Sequence, residues 1–260
     1  MNCRATFFKS RGLGKVKVGV CGAAGRMGRE VCRAVSAESD LELVCAVDAV
    51  RAETALSELI PGLISDLRIS AEPTALAENG AEVIVDFSIA EAARSNVSYA
   101  LRKGINCIVG TTGLAEQDLK DWEELARKMG TACLVAPNFA IGAVLMMHFS
   151  RQAARYMDGC EIIELHHQAK IDAPSGTSRL TADMISEAAG LPAGTIPIHS
   201  VRLPGLVAHQ EVIFGSQGQS LTIRHDSFDR TSFMPGVILA LRKVPAMKGL
   251  VVGLEKILDL

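Results

Sequence analysis

Residues 16–28 have the sequence VKVGVCGAAGRMG, which joins a short apolar run to three evenly spaced glycines. The mostly β-branched residues from Val16 to Val20 predict a buried strand. Residues 29–38, REVCRAVSAE, have helical spacing, so the glycines lie in a turn between a strand and a helix. In such a turn the backbone can approach a pyrophosphate closely, while the helix N-terminus supplies N–H groups and partial positive charge.

The glycine spacing and the acid that follows it favour a dinucleotide site. Gly22, Gly25 and Gly28 form GxxGxxG, one residue longer than the usual GxGxxG, and a glycine turn can also end a strand for structural reasons alone. Asp48 ends the next apolar run, LELVCAVD, twenty residues after Gly28. An acid at this place hydrogen-bonds the adenosine ribose in dinucleotide-binding folds, although a strand-end aspartate can equally cap a helix. We therefore predict that the turn and Asp48 bind NADH, NADPH or both.

The residues around the acid leave the choice of dinucleotide open. Ala49 and Val50 follow Asp48, so the first basic residue after it is Arg51. A basic residue directly after the acid would favour the 2′-phosphate of NADPH. Arg26 in the turn is another possible phosphate partner. We expect NADH to be used well and leave NADPH open.

Strands and helices alternate as far as about residue 138. Three more strand-like runs end in small or polar residues, within DFS, GTTG and APNF. Helical patterns separate these runs, which predicts a parallel sheet covered on both faces. Ligands bind beyond the carboxyl ends of parallel strands. The candidate cofactor-binding residues are therefore Gly22, Ala23, Ala24, Gly25, Arg26, Met27, Asp48, Phe87, Gly110, Thr111, Thr112, Ala136, Pro137, Asn138 and Phe139.

After Asn138 the pattern changes. A helix is predicted over 141–156, a strand in CEIIELHH and a helix from about Thr177 to Ala189. The alternating runs IPIHSVRL, LVAHQEVIFG and QSLTIRHDS then predict antiparallel strands. The expected fold class is α/β, a Rossmann-type doubly wound parallel sheet plus a second α+β domain with a mixed or antiparallel sheet. We expect a dinucleotide-binding domain over 1–137 and a change to a second domain at residue 138.

Residues 166–178, HHQAKIDAPSGTS, concentrate groups that can bind and protonate an anion. His166 and Lys170 share one side of the chain whether it is extended or helical, so they can act in one site. Ser175, Gly176 and Thr177 precede a helical pattern, where they can cap the helix and offer N–H groups and hydroxyls to a carboxylate. We predict a pocket for a substrate with carboxylates that must be protonated. A surface histidine pair beside an ordinary helix cap is the alternative.

Composition and charge exclude several other classes of protein. The net charge of −2 argues against a nucleic-acid binder, and no apolar run approaches the ~20 residues that span a bilayer. The seven cysteines are scattered without a CxxC pair, which is typical of the reducing cytoplasm and predicts no metal site. The first fifteen residues carry four positive charges and no negative one. We expect residues 1–15 to form a disordered extension, with a targeting remnant as the alternative.

The stretch ELHHQAKIDAPSGT, with GAAGRMG, DFS, GTTG and APNFAIG upstream, resembles the dihydrodipicolinate reductases of the bacterial and plant lysine pathway. The resemblance implies NAD(P)H-dependent reduction of 4-hydroxy-tetrahydrodipicolinate, a small cyclic dicarboxylate, to tetrahydrodipicolinate for diaminopimelate and lysine synthesis. It implies that His166 and Lys170 are catalytic, that His167, Gly176 and Thr177 contact a substrate carboxylate, and that Arg230 and Phe233 contribute to the cofactor site. It also implies a homotetramer, with a substrate-binding and oligomerisation domain over 138–230 and a C-terminal segment, 231–260, that returns to the dinucleotide-binding domain. Which of His166 and Lys170 delivers the proton stays open.

Three other functions are possible. A different dehydrogenase of a small amino or keto acid would share the dinucleotide turn but not the HHxxK…SGT block. A non-enzymatic dinucleotide sensor would need no proton donor and usually carries a DNA-binding segment. A histidine metal hydrolase would need metal-ligand spacing that the adjacent pair His166 and His167 lacks.

Overall fold

A computed structural model describes residues 14–258 and residue 260 of the chain. The chain forms two compact units: the first extends to Cys133 and includes Leu241–Leu250, and the second comprises Leu134–Ala240 and Val251–Leu260. The division thus falls slightly before the expected boundary at 137/138, and residues 231–260 are shared between the units. The disordered extension predicted over 1–15 lies outside the described residues, except for its last two.

In the described part of the chain, eleven strands form two sheets. In chain order the strands are β1 (Val16–Cys21), β2 (Leu41–Val47), β3 (Ile69–Ser70), β4 (Val83–Asp86), β5 (Asn106–Val109), β6 (Ala132–Val135), β7 (Gly159–His166), β8 (Ile198–Arg202), β9 (Ala208–Ser216), β10 (Gln219–Ser227) and β11 (Gly249–Val252). The first sheet has the order β11-β6-β5-β4-β1-β2-β3, and the second has the order β10-β9-β7-β8.

Eight α-helices lie within the same described residues. They are α1 (Arg26–Ala37), α2 (Leu56–Leu59), α3 (Thr74–Glu78), α4 (Ala90–Arg102), α5 (Glu116–Met129), α6 (Ile141–Ala153), α7 (Gly176–Ala189) and α8 (Met234–Lys243). Four short 3₁₀ helices, Ala49–Arg51, Arg230–Phe233, Val244–Ala246 and Leu254–Ile257, complete the described elements. The helix predicted over 141–156 therefore ends slightly earlier, and the terminal element GLVVGLEKIL is a strand followed by a 3₁₀ helix.

The first sheet is parallel, and its central strands are mostly buried. β1 pairs in parallel with β2 and β4, β2 pairs in parallel with β3, and β4 pairs in parallel with β5. All four residues of β4 and of β6 are buried. Parallel strands with both faces covered need continuous apolar runs rather than alternation, which is the pattern of these segments. The predicted Rossmann-type sheet is confirmed.

The second sheet is mixed, and one of its predicted strand directions was wrong. β7 pairs antiparallel with β9, and β9 pairs antiparallel with β10 through a two-residue turn. β8, which we expected to be antiparallel, pairs in parallel with β7. The reason is the connection: the chain leaves β7, crosses through α7 and returns as β8, and a β-α-β crossover brings the second strand back in the same direction.

The core of the second unit lies between its sheet and the helices α6 and α7. Met146, Ile185 and Ile162 pack there with Val212 and Phe214 of β9. Because side chains alternate along a strand, the face that buries Ile162 also carries the next residues but one, Glu164 and His166. β7 therefore carries a carboxylate and an imidazole on the same face as an apolar core.

The turn between β1 and α1 is packed so closely that it excludes any side chain at Gly28. A Cβ atom on Gly28 would lie 2.7 Å from the carbonyl carbon of Gly22 and 2.8 Å from Ala23 Cα, and closer still to Gly22 O. These neighbours are backbone atoms, which cannot rotate away as a flexible side chain would. The third glycine therefore lets the helix α1 approach the end of β1.

We expect Gly28→Ala to destabilise the protein. Helix propensity alone would favour alanine by about 1 kcal/mol. Overpacking costs about 1–3 kcal/mol, and contact with backbone lies at the upper end, so the free energy of unfolding should fall by about 1–2 kcal/mol in a urea titration. Gly159→Ala is the control, because a Cβ there meets nothing within 4 Å. A Gly28→Ala protein as stable as the wild type would contradict the packing argument.

Candidate active site

The glycine turn of the first unit has the geometry of a phosphate site. Gly22 has a φ of +73°, in the left-handed region that favours glycine. Gly25 is the N-cap of α1 and contributes no capping bond from a side chain. The first N–H groups of α1 therefore have no side-chain cap and can bind an anion. The turn fits the pyrophosphate of a dinucleotide.

Asp48 lies beside this turn. Its Oδ2 accepts a hydrogen bond from Ala24 N at 3.1 Å, and its Oδ1 accepts one from Val50 N at 3.0 Å. The second bond makes Asp48 the N-cap of the 3₁₀ helix Ala49–Arg51. Asp48 therefore has the position expected for either interpretation. It caps a short helix, and it also lies next to the glycine turn, where its carboxylate could accept a ribose hydroxyl.

Phe87 joins the glycine turn to the end of β5. A Cβ on Gly110 would lie 2.7 Å from Phe87 Cδ1, so the aromatic ring occupies the space that a side chain at Gly110 would need. A Cβ on Gly22 would lie 2.8 Å from the carbonyl group of Phe87. Three predicted cofactor residues from three different strand ends thus meet at one edge of the first sheet.

Asp86 holds this edge together, and sequence analysis did not single it out as a site residue. It is fully buried. Its Oδ1 accepts hydrogen bonds from Ser88 N at 2.9 Å and from Thr111 Oγ1 at 2.7 Å, and its Oδ2 accepts one from Asn96 Nδ2 at 2.9 Å. The carboxylate therefore ties the ends of β4 and β5 to α4. Thr111, a predicted cofactor residue, is buried in this network, whereas Thr112 is exposed.

The remaining predicted cofactor residues belong to the second unit. Asn138 Oδ1 accepts from Ala140 N at 2.8 Å, and its Nδ2 donates to Thr177 Oγ1 at 3.5 Å. Phe139 is only 1% exposed. Arg230 and Phe233 begin and end one 3₁₀ helix. Ala136 is buried and Pro137 is exposed.

An open cleft of about 340 Å³ lies in the second unit. It brings together five of the predicted site residues, which are Asn138, His166, Ser175, Thr177 and Phe233. The other residues that line it are Ala143, Met146, Ala208, His209, Gln210, His225 and Ser227. Lys170, His167 and Gly176 are not among the lining residues. The predicted imidazole His166 and the helix-cap residues Ser175 and Thr177 therefore line the same cleft, whereas Lys170 does not.

His166 stands at the end of β7 with its side chain only 14% exposed. Its Nδ1 forms a short hydrogen bond with Glu164 Oε2. Burial lowers the pKa of His166 below its ordinary value, although Glu164 acts in the opposite direction. The positive charges of Lys170 and Arg202 add to the lowering. Because Nδ1 is hydrogen-bonded to Glu164, the other ring nitrogen, Nε2, is the one that can exchange a proton with a ligand in the cleft.

Glu164 is a buried carboxylate that binds a whole set of donors. Arg202 Nη2 donates to Oε1 at 2.7 Å and Arg202 Nη1 donates to Oε2 at 2.9 Å, a bidentate pair. Ser175 N also donates to Oε1, at 3.3 Å. Burial alone would raise the pKa of Glu164, but its hydrogen bonds, the strongest from Arg202, outweigh burial and hold the pKa below its usual range.

Lys170 lies in the loop after β7. Its Nζ donates to both oxygens of Asp172, at 2.7 and 2.9 Å, and its backbone N donates to His167 O at 3.0 Å. The ion pair lowers the pKa of Asp172. The backbone carbonyl of Asp172 in turn accepts from Arg202 Nη2 at 2.8 Å. The loop that carries the predicted lysine is thus attached to the guanidinium that binds Glu164.

Ser175 acts mainly as a helix cap. Its Oγ accepts from Ser178 N at 3.2 Å, which makes it the N-cap of α7, and it is only 3% exposed. Its hydroxyl also contacts Ser178 Oγ at 2.8 Å. The exposed Gly176 and the half-buried Thr177 form the first turn of α7, so their N–H groups lie at a helix N-terminus, where an anion binds well.

Two further imidazoles line the cleft, and sequence analysis missed both. His209 Nδ1 pairs with Asp226 Oδ1 at 2.7 Å. His225 packs against α6, since a Cβ on Gly142 would lie 2.6 Å from its Cδ2. Burial lowers the pKa of His225. Strands β9 and β10 deliver these residues from far along the chain, so no local pattern connects them with residues 166–178.

The sequence also predicts no membrane span and no metal site. No helix within the described part of the chain is long and apolar enough to cross a membrane. Among residues 14–258, no group of three or more His, Cys, Asp or Glu side chains is placed to hold a metal ion.

Known proteins resemble the chain over almost its whole length. The family model described as "Dihydrodipicolinate reductase, N-terminus" matches residues 16–139, and the one described as "Dihydrodipicolinate reductase, C-terminus" matches residues 142–258. The 4-hydroxy-tetrahydrodipicolinate reductase of Synechocystis sp. is 47% identical, with 94% of this chain and 98% of that protein covered. The enzyme of the same name from Mycolicibacterium smegmatis is 46% identical, with 94% and 100% covered.

Solved structures agree with these matches. A dipicolinate-bound dihydrodipicolinate reductase from Paenisporosarcina sp. TG-14 superposes with a TM-score of 0.81 at 36% identity, covering 94% of this chain and 100% of that one. An amine dehydrogenase from Mycobacterium smegmatis superposes with a TM-score of 0.69 at 13% identity over 91% and 94% of the two chains, a likeness of fold alone. With a parallel dinucleotide-type sheet, an imidazole cleft and these relatives, the chain belongs to the dihydrodipicolinate reductase family of NAD(P)H-dependent oxidoreductases.

Proposed function

We propose that the chain reduces 4-hydroxy-tetrahydrodipicolinate to tetrahydrodipicolinate with NADH, NADPH or both, a step of lysine biosynthesis through diaminopimelate. The observation that carries this proposal is the cleft of the second unit. The imidazole of His166 lines this cleft, and so does Thr177, which lies at the N-terminus of α7. A proton donor next to an anion-binding helix end suits a cyclic dicarboxylate that must be protonated as it is reduced.

In the first unit we assign the glycine turn and Asp48 to the coenzyme. When bound, the reduced coenzyme supplies the hydride. The N–H groups at the start of α1 would bind its pyrophosphate, because they have no side-chain cap. Asp48 would accept hydroxyl groups of the adenosine ribose, and its negative charge would disfavour a 2′-phosphate there. The other predicted residues of this site, from Phe87 to Phe233, stay proposals of the same kind.

In the second unit we assign proton delivery to His166 and Lys170. His166 can present Nε2 to the cleft, since Nδ1 is held by Glu164. Lys170 lies near enough to lower the pKa of His166 by its charge. Lys170 and the protonated form of His166, together with the N-terminus of α7, would also stabilise a substrate dianion in a partly buried site. We assign His167, Gly176 and Thr177 to binding the substrate carboxylates. Ser175 caps α7 and so positions Gly176 and Thr177.

We also propose a cytoplasmic homotetramer, with the first unit as the dinucleotide-binding domain and the second as the substrate-binding and oligomerisation domain. The six cysteines in the described part of the chain have free thiols, as suits a reducing compartment. β10 is an edge strand of the second sheet, and Leu221 on it is 41% exposed. A long exposed edge with apolar side chains is an unprotected surface unless another chain covers it.

Removal of either proposed proton donor should abolish most turnover. Anaerobic NADH oxidation would be followed with substrate generated in situ from pyruvate and aspartate semialdehyde by a synthase. We expect His166→Ala and Lys170→Ala each to lower kcat by about 10²–10⁴-fold, the usual contribution of general acid catalysis. NADH binding, measured by fluorescence, should be unchanged. The control is His199→Ala, an exposed imidazole on β8, which should match the wild type. A wild type that binds NADH but ignores this substrate would refute the proposed function.

Coenzyme preference should depend on the charge of Asp48. The wild type should use NADH well, and a large preference for NADPH would contradict the assignment. Asp48→Asn keeps one oxygen, which can accept from Ala24 N or from Val50 N but not from both, and it removes the charge that opposes a 2′-phosphate. We expect the ratio of kcat/KM for NADPH to that for NADH to rise about tenfold. Glu58→Gln, at an exposed acid on α2, should leave this ratio unchanged.

A charge on the exposed edge strand should dissociate the tetramer. Multi-angle light scattering should give the mass of four chains for the wild type and a smaller mass for Leu221→Glu, because burying a charge in an apolar interface is strongly unfavourable. Val50→Glu, at a highly exposed residue of the first unit, should stay tetrameric. A monomeric wild type at micromolar concentration would rule out the proposed assembly.

A further inference from the structure

Glu164 has no role in the proposed function so far, although it is the most deeply buried charge near the cleft. Its side chain is 0% exposed, and it stands on the face of β7 that also buries Ile162. An ionised carboxylate in such a place is unfavourable unless it is paired and hydrogen-bonded. The structure satisfies that condition completely, with donors from a neighbouring strand, from the cap of α7 and from a cleft imidazole.

Backbone pairing fixes the positions of these groups. His166 and Arg202 face each other in the parallel register of β7 and β8, and Glu164 faces Ser200. Glu164 and His166 are two residues apart, so they share one face of the sheet. The carboxylate therefore lies between the imidazole and the guanidinium because of strand register, without help from a flexible loop.

We propose that Glu164 and Arg202 form a positioning pair for His166, in which Glu164 accepts the Nδ1 proton and so leaves Nε2 as the nitrogen that exchanges a proton in the cleft. Glu164 does not touch the substrate in this arrangement. It selects one tautomer of the imidazole and stabilises the imidazolium form, while Arg202 keeps the carboxylate ionised and in place. This inference rests on the proposed function, since it gives His166 its orientation for proton transfer.

The pair of Glu164 and Arg202 is also connected to Lys170, the second candidate proton donor, through Asp172. The Arg202 guanidinium that binds Glu164 also donates to the backbone carbonyl of Asp172 at 2.8 Å. The carboxylate of Asp172 holds Lys170 Nζ at 2.7 Å. One half-buried guanidinium therefore positions both the strand that carries His166 and the loop that carries Lys170.

A purely structural ion pair is the alternative explanation. Such a pair would stabilise β7 against β8 but would be indifferent to the tautomer and charge of His166. The chain contains a comparison on the same two strands: Glu161 Oε2 pairs with His199 Nε2 at 2.7 Å, but both side chains are more than half exposed. That pair is screened by water and lies away from the cleft, so it should have little influence on turnover.

The negative charge of Glu164 should raise the pKa of His166 and so set the pH range in which the imidazole can deliver a proton. The charged groups that act on this imidazole are Glu164 on its own strand, Arg202 on β8 and Lys170 in the following loop. His209 and His225 line the same cleft from β9 and β10. Glu164 is the negative member of this set, so its neutralisation should move the titration of His166 to lower pH.

The tautomer can be measured on the wild type without any variant. The chain has six histidines, and the ring signals of His166 can be assigned in ¹⁵N-labelled protein by their loss in His166→Gln. We expect the neutral ring to carry its proton on Nδ1 and to have Nε2 unprotonated. A ring protonated on Nε2 would overturn the proposal, whatever the variants do.

The variants then test the charge. Glu164→Gln should lower kcat by about 100-fold or more with little change in the KM for NADH. Because His166 must be protonated to deliver a proton, the alkaline limb of the kcat–pH profile should shift to lower pH. Glu164→Asp restores the charge, so it should recover the wild-type pH profile and part of kcat. Glu161→Gln is the matched control and should behave as the wild type. Equal pH profiles for Glu164→Gln and Glu164→Asp, or a wild-type kcat in Glu164→Gln, would refute a positioning role.

These measurements separate the inference from the proposed function. If the wild type does not reduce the proposed substrate, the function fails, while the His166 tautomer and its titration in Glu164→Gln still decide the inference. If the wild type turns over and Glu164→Gln does so equally well, the function stands and the inference fails. If Glu164→Gln does not fold, the tautomer of the wild type and the pH profile of Glu164→Asp decide the question.

Discussion

The candidate site depends on one buried carboxylate that the fold cannot leave unpaired. Glu164 lies on the core face of β7, where an uncompensated charge would destabilise the protein strongly. Its neutralisation requires the guanidinium of Arg202, and that requirement fixes β8 beside β7 and the loop containing Asp172 beside both. The N–H of Ser175 satisfies the same carboxylate, which holds the start of α7 at the cleft. Most groups proposed to act on the substrate are therefore held directly or indirectly by this charge.

The first unit also contains a buried carboxylate whose oxygens are all hydrogen-bonded, that of Asp86. Its carboxylate is buried at the end of β4 and accepts from Thr111, Ser88 and Asn96. The two strand ends it joins carry Phe87 and Gly110, whose close contact shapes the proposed coenzyme edge. In both units a buried acid at the carboxyl end of a strand organises neighbours that have no direct connection in sequence. The acids differ in their partners, since Asp86 binds neutral donors whereas Glu164 binds a guanidinium.

Much of the fold follows from local sequence. The apolar run before Gly22 and the helical spacing after Gly28 predict β1 and α1, because each element buries a continuous face and the glycines permit only a close turn between them. The direction of β8 was not predictable in this way. A period of two identifies a strand but carries no information on its partner, and the parallel pairing follows from the crossover through α7. For the site, Glu164 had a usable signal, since it is a charge in phase with Ile162 within CEIIELHH. His209 and His225 had none, because distant strands bring them to the cleft.

The strand order of the first sheet has a consequence for the newly synthesised chain. β6 ends at Val135, but its neighbour β11 begins at Gly249, more than a hundred residues later. A chain that emerges from the ribosome therefore completes β1 to β6 and then the strands of the second unit before the outer edge of β6 can be paired. During that interval the edge presents free N–H and C=O groups beside the apolar residues of Ala132–Val135, which is a template for pairing with another nascent chain. Because β11 is synthesised last, the first sheet can misassemble at the edge of β6 until β11 pairs with it.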